Sequence, residues 1–186
     1  MKKIISILLG ICLCGGVFAQ TQLKIISFNI HAGYDAPIAD IAAFIKEQDP
    51  DIVALQEVEY YTNRTGANTP RPINNNINML NELAYLTGMH GMFYVTLEKC
   101  YGGKFGNAIL SKHSFDETRR IMLPCAAGTE QRNAAIADIK LPDGTEFSIV
   151  DTHIDMSKLD NGMSQIKEVN RIPVSYTHLR AHETTL

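Results

Sequence analysis

The sequence predicts one α+β domain, and three features carry that expectation. Two apolar runs, Leu23–Ile30 and Asp51–Val58, place hydrophobic side chains on both parities of an extended segment, the pattern of strands covered on both faces. Apolar residues then recur at helical spacing, first at Ile38, Ile41, Ala42 and Ile45, and again at Ile77, Leu80, Leu83 and Ala84. Further along, Pro142-Asp143-Gly144 separates two more apolar runs and marks a β-hairpin.

Composition sets the bounds. A chain of 186 residues suffices for one hydrophobic core and is short for two ordinary domains. A hydrophobic content of 45% with 20% charged residues fits a globular protein. The net charge of −3 excludes a strongly basic nucleic-acid binder but leaves room for a local basic patch. Residues 1–19 read as a secretory signal peptide: Lys2 and Lys3 precede an apolar run from Ile4 to Phe18, and Val17-Phe18-Ala19 supplies small residues at a cleavage site. The run is too short for a membrane span, so the mature chain is expected to lack one and to be secreted or periplasmic. Cys12 and Cys14 lack the preceding small residue of a lipoprotein site. Cys100 and Cys125 remain, either as a disulfide or as two small buried thiols.

The first strand, Leu23–Ile30, is expected to be central and ends in Asn29, with Gly33 permitting a turn just beyond. The helix over Ile38–Ile45 stops before Pro50, which cannot continue it. Asp51–Val58 follows as the second strand. A strand–helix–strand connection lays the two strands side by side or nearly so, which brings Asn29 and Glu57 to the same sheet edge. A carboxylate leaving a buried strand is costly unless paired, and a divalent metal is one such partner.

Glu59–Ile73 is a long polar loop containing Arg64, and loops of that length are often functional. The second helix is expected to be capped by Asn74–Asn76 and closed by Gly88. Met92–Leu97 and Ala108–Ser111 read as strands joined through Tyr101–Gly106, whose glycines suit a hairpin turn better than a phosphate cradle. Asn107 enters the second of these strands. The Pro142-Asp143-Gly144 hairpin joins Ala134–Leu141 to Glu146–Thr152, whose end delivers His153 between Asp151 and Asp155. Imidazole is the side chain best poised for proton transfer near neutral pH. Met163–Ile172 reads as a helix with Ile166 and Val169 on one face. Beyond Pro173 there is no periodicity, cap or turn chemistry.

Five segments, Ile25–His31, Pro50–Val58, Gly106–Ser111, Glu130–Arg132 and Asp151–His153, resemble the motifs of the endonuclease/exonuclease/phosphatase superfamily in order and spacing. This is the fold of deoxyribonuclease I-like nucleases, sphingomyelinases and inositol-phosphate phosphatases. The resemblance implies a two-sheet β-sandwich flanked by helices, four layers in the order α/β/β/α, with a site at one edge. It implies that Glu57 and Asn29 belong to a metal site, with Glu57 the direct Mg²⁺ ligand and Mn²⁺ or Ca²⁺ as alternatives. Asn107 and Arg132 are expected at a substrate phosphate, an ion pair with Glu130 being the other reading of Arg132. His153 resembles the catalytic histidine, with Asp151 as the residue that orients it.

The family continues with a strand ending Gly-Asp-Phe-Asn and a later Ser-Asp-His segment, and neither is present here. Residues 20–173 are therefore expected to be the N-terminal two-thirds of such a domain, incomplete at its C-terminal end. Residues 174–186 resemble translated sequencing-adapter read-through, so His178 and His182 are not read as a metal pair.

The expectation is a monomeric, Mg²⁺-dependent phosphoesterase acting on nucleic acid, a phospholipid head group or a sugar phosphate, and inactive as this fragment. A non-catalytic binding module on the same scaffold is the alternative. A zinc hydrolase using His31, His153 and Asp155 is a third reading, against which stands the lack of tight zinc-ligand spacings.

Overall fold

A computed structural model describes residues 22–63 and 76–172. The leader, Arg64, Asn74, Asn75, His178 and His182 lie outside the described residues.

The described chain forms β1 (Ile25–Asn29), a 3-10 turn (His31–Gly33), α1 (Ile38–Gln48), β2 (Ile52–Tyr60), α2 (Met79–Thr87), β3 (His90–Cys100), β4 (Gly103–Ser111), β5 (Phe115–Met122), β6 (Asn133–Lys140), β7 (Glu146–Thr152) and α3 (Leu159–Val169). One sheet has the order β1-β2-β4-β3 and the other β5-β6-β7. β1 and β2 pair in parallel across α1, with Ile25 opposite Ile52 and Asn29 opposite Gln56. All other pairs are antiparallel.

Strand alternation sorts the core into layers. Val53 and Leu55 of β2, with Ala108 and Leu110 of β4, face Ile38, Ile41 and Ile45 of α1 and Met79, Leu80 and Leu83 of α2. The opposite parity, Ile52 and Ile109, packs between the sheets against Ala135, Ala137, Ile139 and Phe147. Each such large side chain taken fully out of water stabilises the fold by about 1.5–3 kcal/mol. The small alanines of β6 let the sheets approach, and the Tyr94 hydroxyl donates to the Ile136 carbonyl across the gap at 3.0 Å. On the outer face of the second sheet, Val169 of α3 and the following Ile172 meet Ile121, Ala134, Ile136 and Val150. The architecture is thus two sheets between helical layers, as expected.

Local chemistry explains the element ends. Asp49 ends α1 in a left-handed conformation just before Pro50. Asn78, rather than Asn74–Asn76, caps α2 by accepting the Asn81 N–H at 3.1 Å, and Gly88 closes it at φ +72°. Tyr101 and Gly102, with φ of 46° and 85°, make the two-residue β3–β4 turn.

Further expectations need correction. β1 is an edge strand with an alternating half-exposed pattern, because none of the described residues pairs with its second edge. β2 does not end at Val58 but continues to Tyr60, paired with the start of β4. α3 begins at Leu159, not Met163, and Ile166 faces solvent. Cys100 and Cys125 are not bridged to each other, and Cys125 is exposed where two buried thiols were the other expectation, while Cys100 is buried. β5 is a strand that the sequence reading passed over.

Candidate active site

Between Leu55 and Val58 the ladder slips: Leu55 pairs with Ala108 and Val58 with Gly106, so Gln56 and Glu57 together oppose Asn107. Two residues against one is a β-bulge, a device that re-aims a side chain. Glu57 accordingly has φ +59°, a left-handed conformation that costs a non-glycine residue about 1–2 kcal/mol. Gln56 turns into the sandwich and is buried, while the Glu57 carboxylate stays 21% exposed.

Around that carboxylate the other strand ends converge. Asn29 Nδ2 at the end of β1 donates to Glu57 Oε1 at 2.9 Å, and Asn29 Oδ1 accepts the His31 backbone N–H at 2.8 Å. Because that N–H orients the amide, Asn29 reaches Glu57 with its donor rather than its oxygen. His153, just beyond β7, lies with Nδ1 3.9 Å from Glu57 Oε1. The Arg132 guanidinium, just before β6, is 3.4 Å from the same ring nitrogen and 2.8 Å from Glu130 Oε1. Arg132 Nε is buried with no hydrogen-bond partner among the described residues. Thr152 Oγ1 donates to the Asn133 carbonyl at 2.9 Å, so the two strand ends bearing Arg132 and His153 are tied together.

Burial, and then the Arg132 charge, hold the His153 pKa below the ordinary value, against the opposing pull of Glu57. The ring is neutral at pH 7. Since a guanidinium can only donate, Nδ1 facing it is the acceptor and Nε2 carries the proton.

Asp151 sits beneath this rim. Gln56 Nε2 donates to its Oδ1 at 2.6 Å and Asn107 Nδ2 to its Oδ2 at 3.0 Å. Burial raises its pKa to about 7, and the two amide hydrogen bonds pull the other way.

Of the residues singled out from sequence, Asn29, Glu57, Arg132 and His153 come together at one edge. Asn107 and Asp151 are buried and bonded to each other, so Asn107 directs its amide at Asp151, and Asp151's oxygens go to amides rather than to the His153 ring. His31 pairs instead with Asp35 at 2.8 Å. The Asp155 carboxylate accepts from Ser157 N–H and Asn161 Nδ2, both at 2.9 Å. Among the described residues no group of three or more His, Cys, Asp or Glu side chains is gathered for a metal, and the zinc reading finds no cluster. Gln56 is the participant the sequence reading left without a role. Its signal was a polar residue directly following four apolar ones, since a buried amide needs partners.

The sequence matches the Endonuclease/Exonuclease/phosphatase family over residues 26–161. The chain belongs to that family. Its fold is similar to an endonuclease/exonuclease/phosphatase from Beutenbergia cavernae, with TM-score 0.64 and 22% identity, covering 81% of this chain and 44% of that one. It is similar also to the mannosyl-6-phosphatase of Bacteroides thetaiotaomicron, with TM-score 0.54 and 15% identity over 81% of this chain and 61% of that one. TDP2 from C. elegans gives TM-score 0.54 and 19% identity over 80% of this chain and 40% of that one. At these identities the structural likeness concerns the fold. No protein of curated function matches the sequence. Among the described residues no helix is long and apolar enough to cross a membrane.

Proposed function

We propose that the chain carries part of the active site of a secreted or periplasmic, monomeric, Mg²⁺-dependent phosphoester hydrolase. The observation that supports it most is the bulge, which aims one carboxylate, Glu57, at a rim shared with Asn29, Arg132 and His153. The donor set suits a hard cation: Mg²⁺ takes oxygen, keeps several waters and needs only one or two carboxylates. Glu57 would hold it, with Asn29 fixing the carboxylate by its N–H. When bound, the metal supplies Lewis-acid polarisation of a phosphoryl oxygen.

The chain's own groups do the rest. Arg132, held by Glu130, presents cationic N–H donors to a phosphate oxygen. The neutral His153 ring offers its Nε2 proton to a second phosphate oxygen. The mannosyl-6-phosphatase acts, by its name, on a sugar phosphate, and a substrate of that kind, a phospholipid head group or nucleic acid would each offer the same phosphate. The net charge of −3 argues against long nucleic acid.

The chain spans 44% and 64% of the length of two of the solved structures it resembles, so its described residues supply one face of the site and little or no turnover is expected of it alone. Bis-p-nitrophenyl phosphate with Mg²⁺ tests this. The expected result is little or no turnover by this chain and, in any longer form of the protein that does turn the substrate over, loss of that turnover on Glu57→Ala. Undiminished turnover in that variant would overturn the reading of Glu57.

A further inference from the structure

We propose that Asp151, Gln56 and Asn107 form a clasp that holds the β2 bulge in shape and so sets the position of Glu57 relative to His153. They are positioning residues, and the inference rests on the reading of Glu57 as the metal ligand. The geometry is specific. The bulge leaves Gln56 and Glu57 opposite the single residue Asn107. From the two sides of that irregularity, Gln56 and Asn107 each donate to a different oxygen of one carboxylate. That carboxylate belongs to the other sheet and lies two residues before His153. One buried carboxyl group thus ties the strand bearing Glu57 to the strand bearing the imidazole.

The arrangement also supplies what a left-handed Glu57 requires. A non-glycine residue persists there only where its neighbours over-determine it. On one side Gln56 is anchored to Asp151 and, at 3.2 Å, to Ser27 Oγ of β1. On the other, the Glu57 carboxylate is anchored to Asn29. Gln56, Asn107 and Asp151 are 6%, 4% and 3% exposed, so water cannot replace a lost partner. Relaxing the clasp lets the bulge return to ordinary pairing, which swings Glu57 away from the rim.

Mn²⁺ is the probe, its binding to the 186-residue chain read from loss of the free-ion EPR signal, with thermal unfolding recorded alongside. Glu57→Ala should abolish binding. Gln56→Met and Asn107→Ala should each weaken it about tenfold to a hundredfold, the range for residues that orient a metal ligand. A merely structural role would lower the unfolding temperature while leaving the affinity of the folded fraction untouched. Wild-type affinity in both clasp variants, with binding lost in Glu57→Ala, overturns the clasp and spares the metal site. Wild-type affinity in Glu57→Ala overturns the metal-site reading itself. In the unaltered chain, the side-chain amide protons of Gln56 and Asn107 should exchange slowly with solvent by NMR. Exchange at the rate of a free amide overturns the clasp even if every variant fails to fold.

Discussion

The two sheets of the sandwich are covered by different means. On the first, α1 and α2 lay Ile38, Ile41, Ile45, Met79, Leu80 and Leu83 onto Val53, Leu55 and Leu110, a continuous apolar seal. On the second, the buried residues of α3 are Asn161, Gly162 and Gln165, while Leu159, Met163 and Ile166 face outward. α3 is held largely by hydrogen bonds to loops. Gln165 accepts the Asp155 N–H and donates to the Pro124 carbonyl, each at 2.9 Å, and Asn161 accepts the Ala126 N–H at 2.9 Å. Glu57 therefore stands on a half stabilised by area, and His153 on a half positioned by directional bonds. Area is tolerant of direction and sensitive to volume, whereas a hydrogen-bonded anchor is the reverse.

That contrast breaks first, and most strongly, in the sealed half. Leu83 is fully buried between α2 and the sheet. Leu83→Ala should destabilise the chain by about 2–5 kcal/mol in urea unfolding, by lost transfer energy plus a cavity. A loss below about 1 kcal/mol would show that the helical layer is not the source of stability assigned to it.

Asp151 joins the halves and gives the next largest effect. Its folded pKa of about 7 lies above the ordinary 3.8 because burial disfavours the anion. Between those values the folded chain keeps a proton that the unfolded chain releases, so this group's contribution to stability falls as pH rises from about 4 to 7 and is flat above. Asp151→Asn cannot titrate. Its unfolding free energy relative to wild type should climb by a few kcal/mol across that window. A difference that stays constant from pH 4.5 to 8 would mean the carboxyl titrates normally.

How much of this was legible follows from the range of the interactions. α1, α2 and both hairpins were visible because cap, period and turn chemistry are local. The convergence of Asn29 with Glu57 was visible because a parallel strand–helix–strand unit leaves little choice of geometry. The bulge was not, since it exists only as a mismatch between β2 and a strand some fifty residues later. The resemblance assigns Asn107 to a substrate phosphate and Asp151 to orienting His153, but sequence does not show that each is the other's partner. β5 was missed because Asp116, Glu117, Arg119 and Arg120 break the apolar pattern; as an edge strand it satisfies part of that charge across the ladder, with Arg119 2.5 Å from Asp138. The first turn of α3 contains Gly162, a poor helix former. That glycine is there for proximity: a Cβ would lie 2.9 Å from the Asp155 carbonyl oxygen.

The anchored half should respond to the loss of direction. Gln165→Leu keeps the volume but leaves the Asp155 N–H and the Pro124 carbonyl without their partner, a loss of about 1–3 kcal/mol in urea unfolding. The same variant should broaden the amide NMR signals of residues 153–157, the loop that carries His153 into α3.

The outward side of the same helix gives the smallest effect, and it decides how the helix is held. Ile166 is 40% exposed and Met163 46%. If α3 docked by its apolar residues, as an ordinary amphipathic helix does, replacing them with polar ones would loosen it. The anchors run the other way here, so Ile166→Gln should change the unfolding free energy by no more than about 0.5 kcal/mol, as at other surface positions. Glutamine is also as good a helix former as isoleucine, so propensity does not confound the comparison. A loss on the scale of Gln165→Leu would mean that the apolar face, and not the buried amides, fastens α3 and the His153 loop to the sheet.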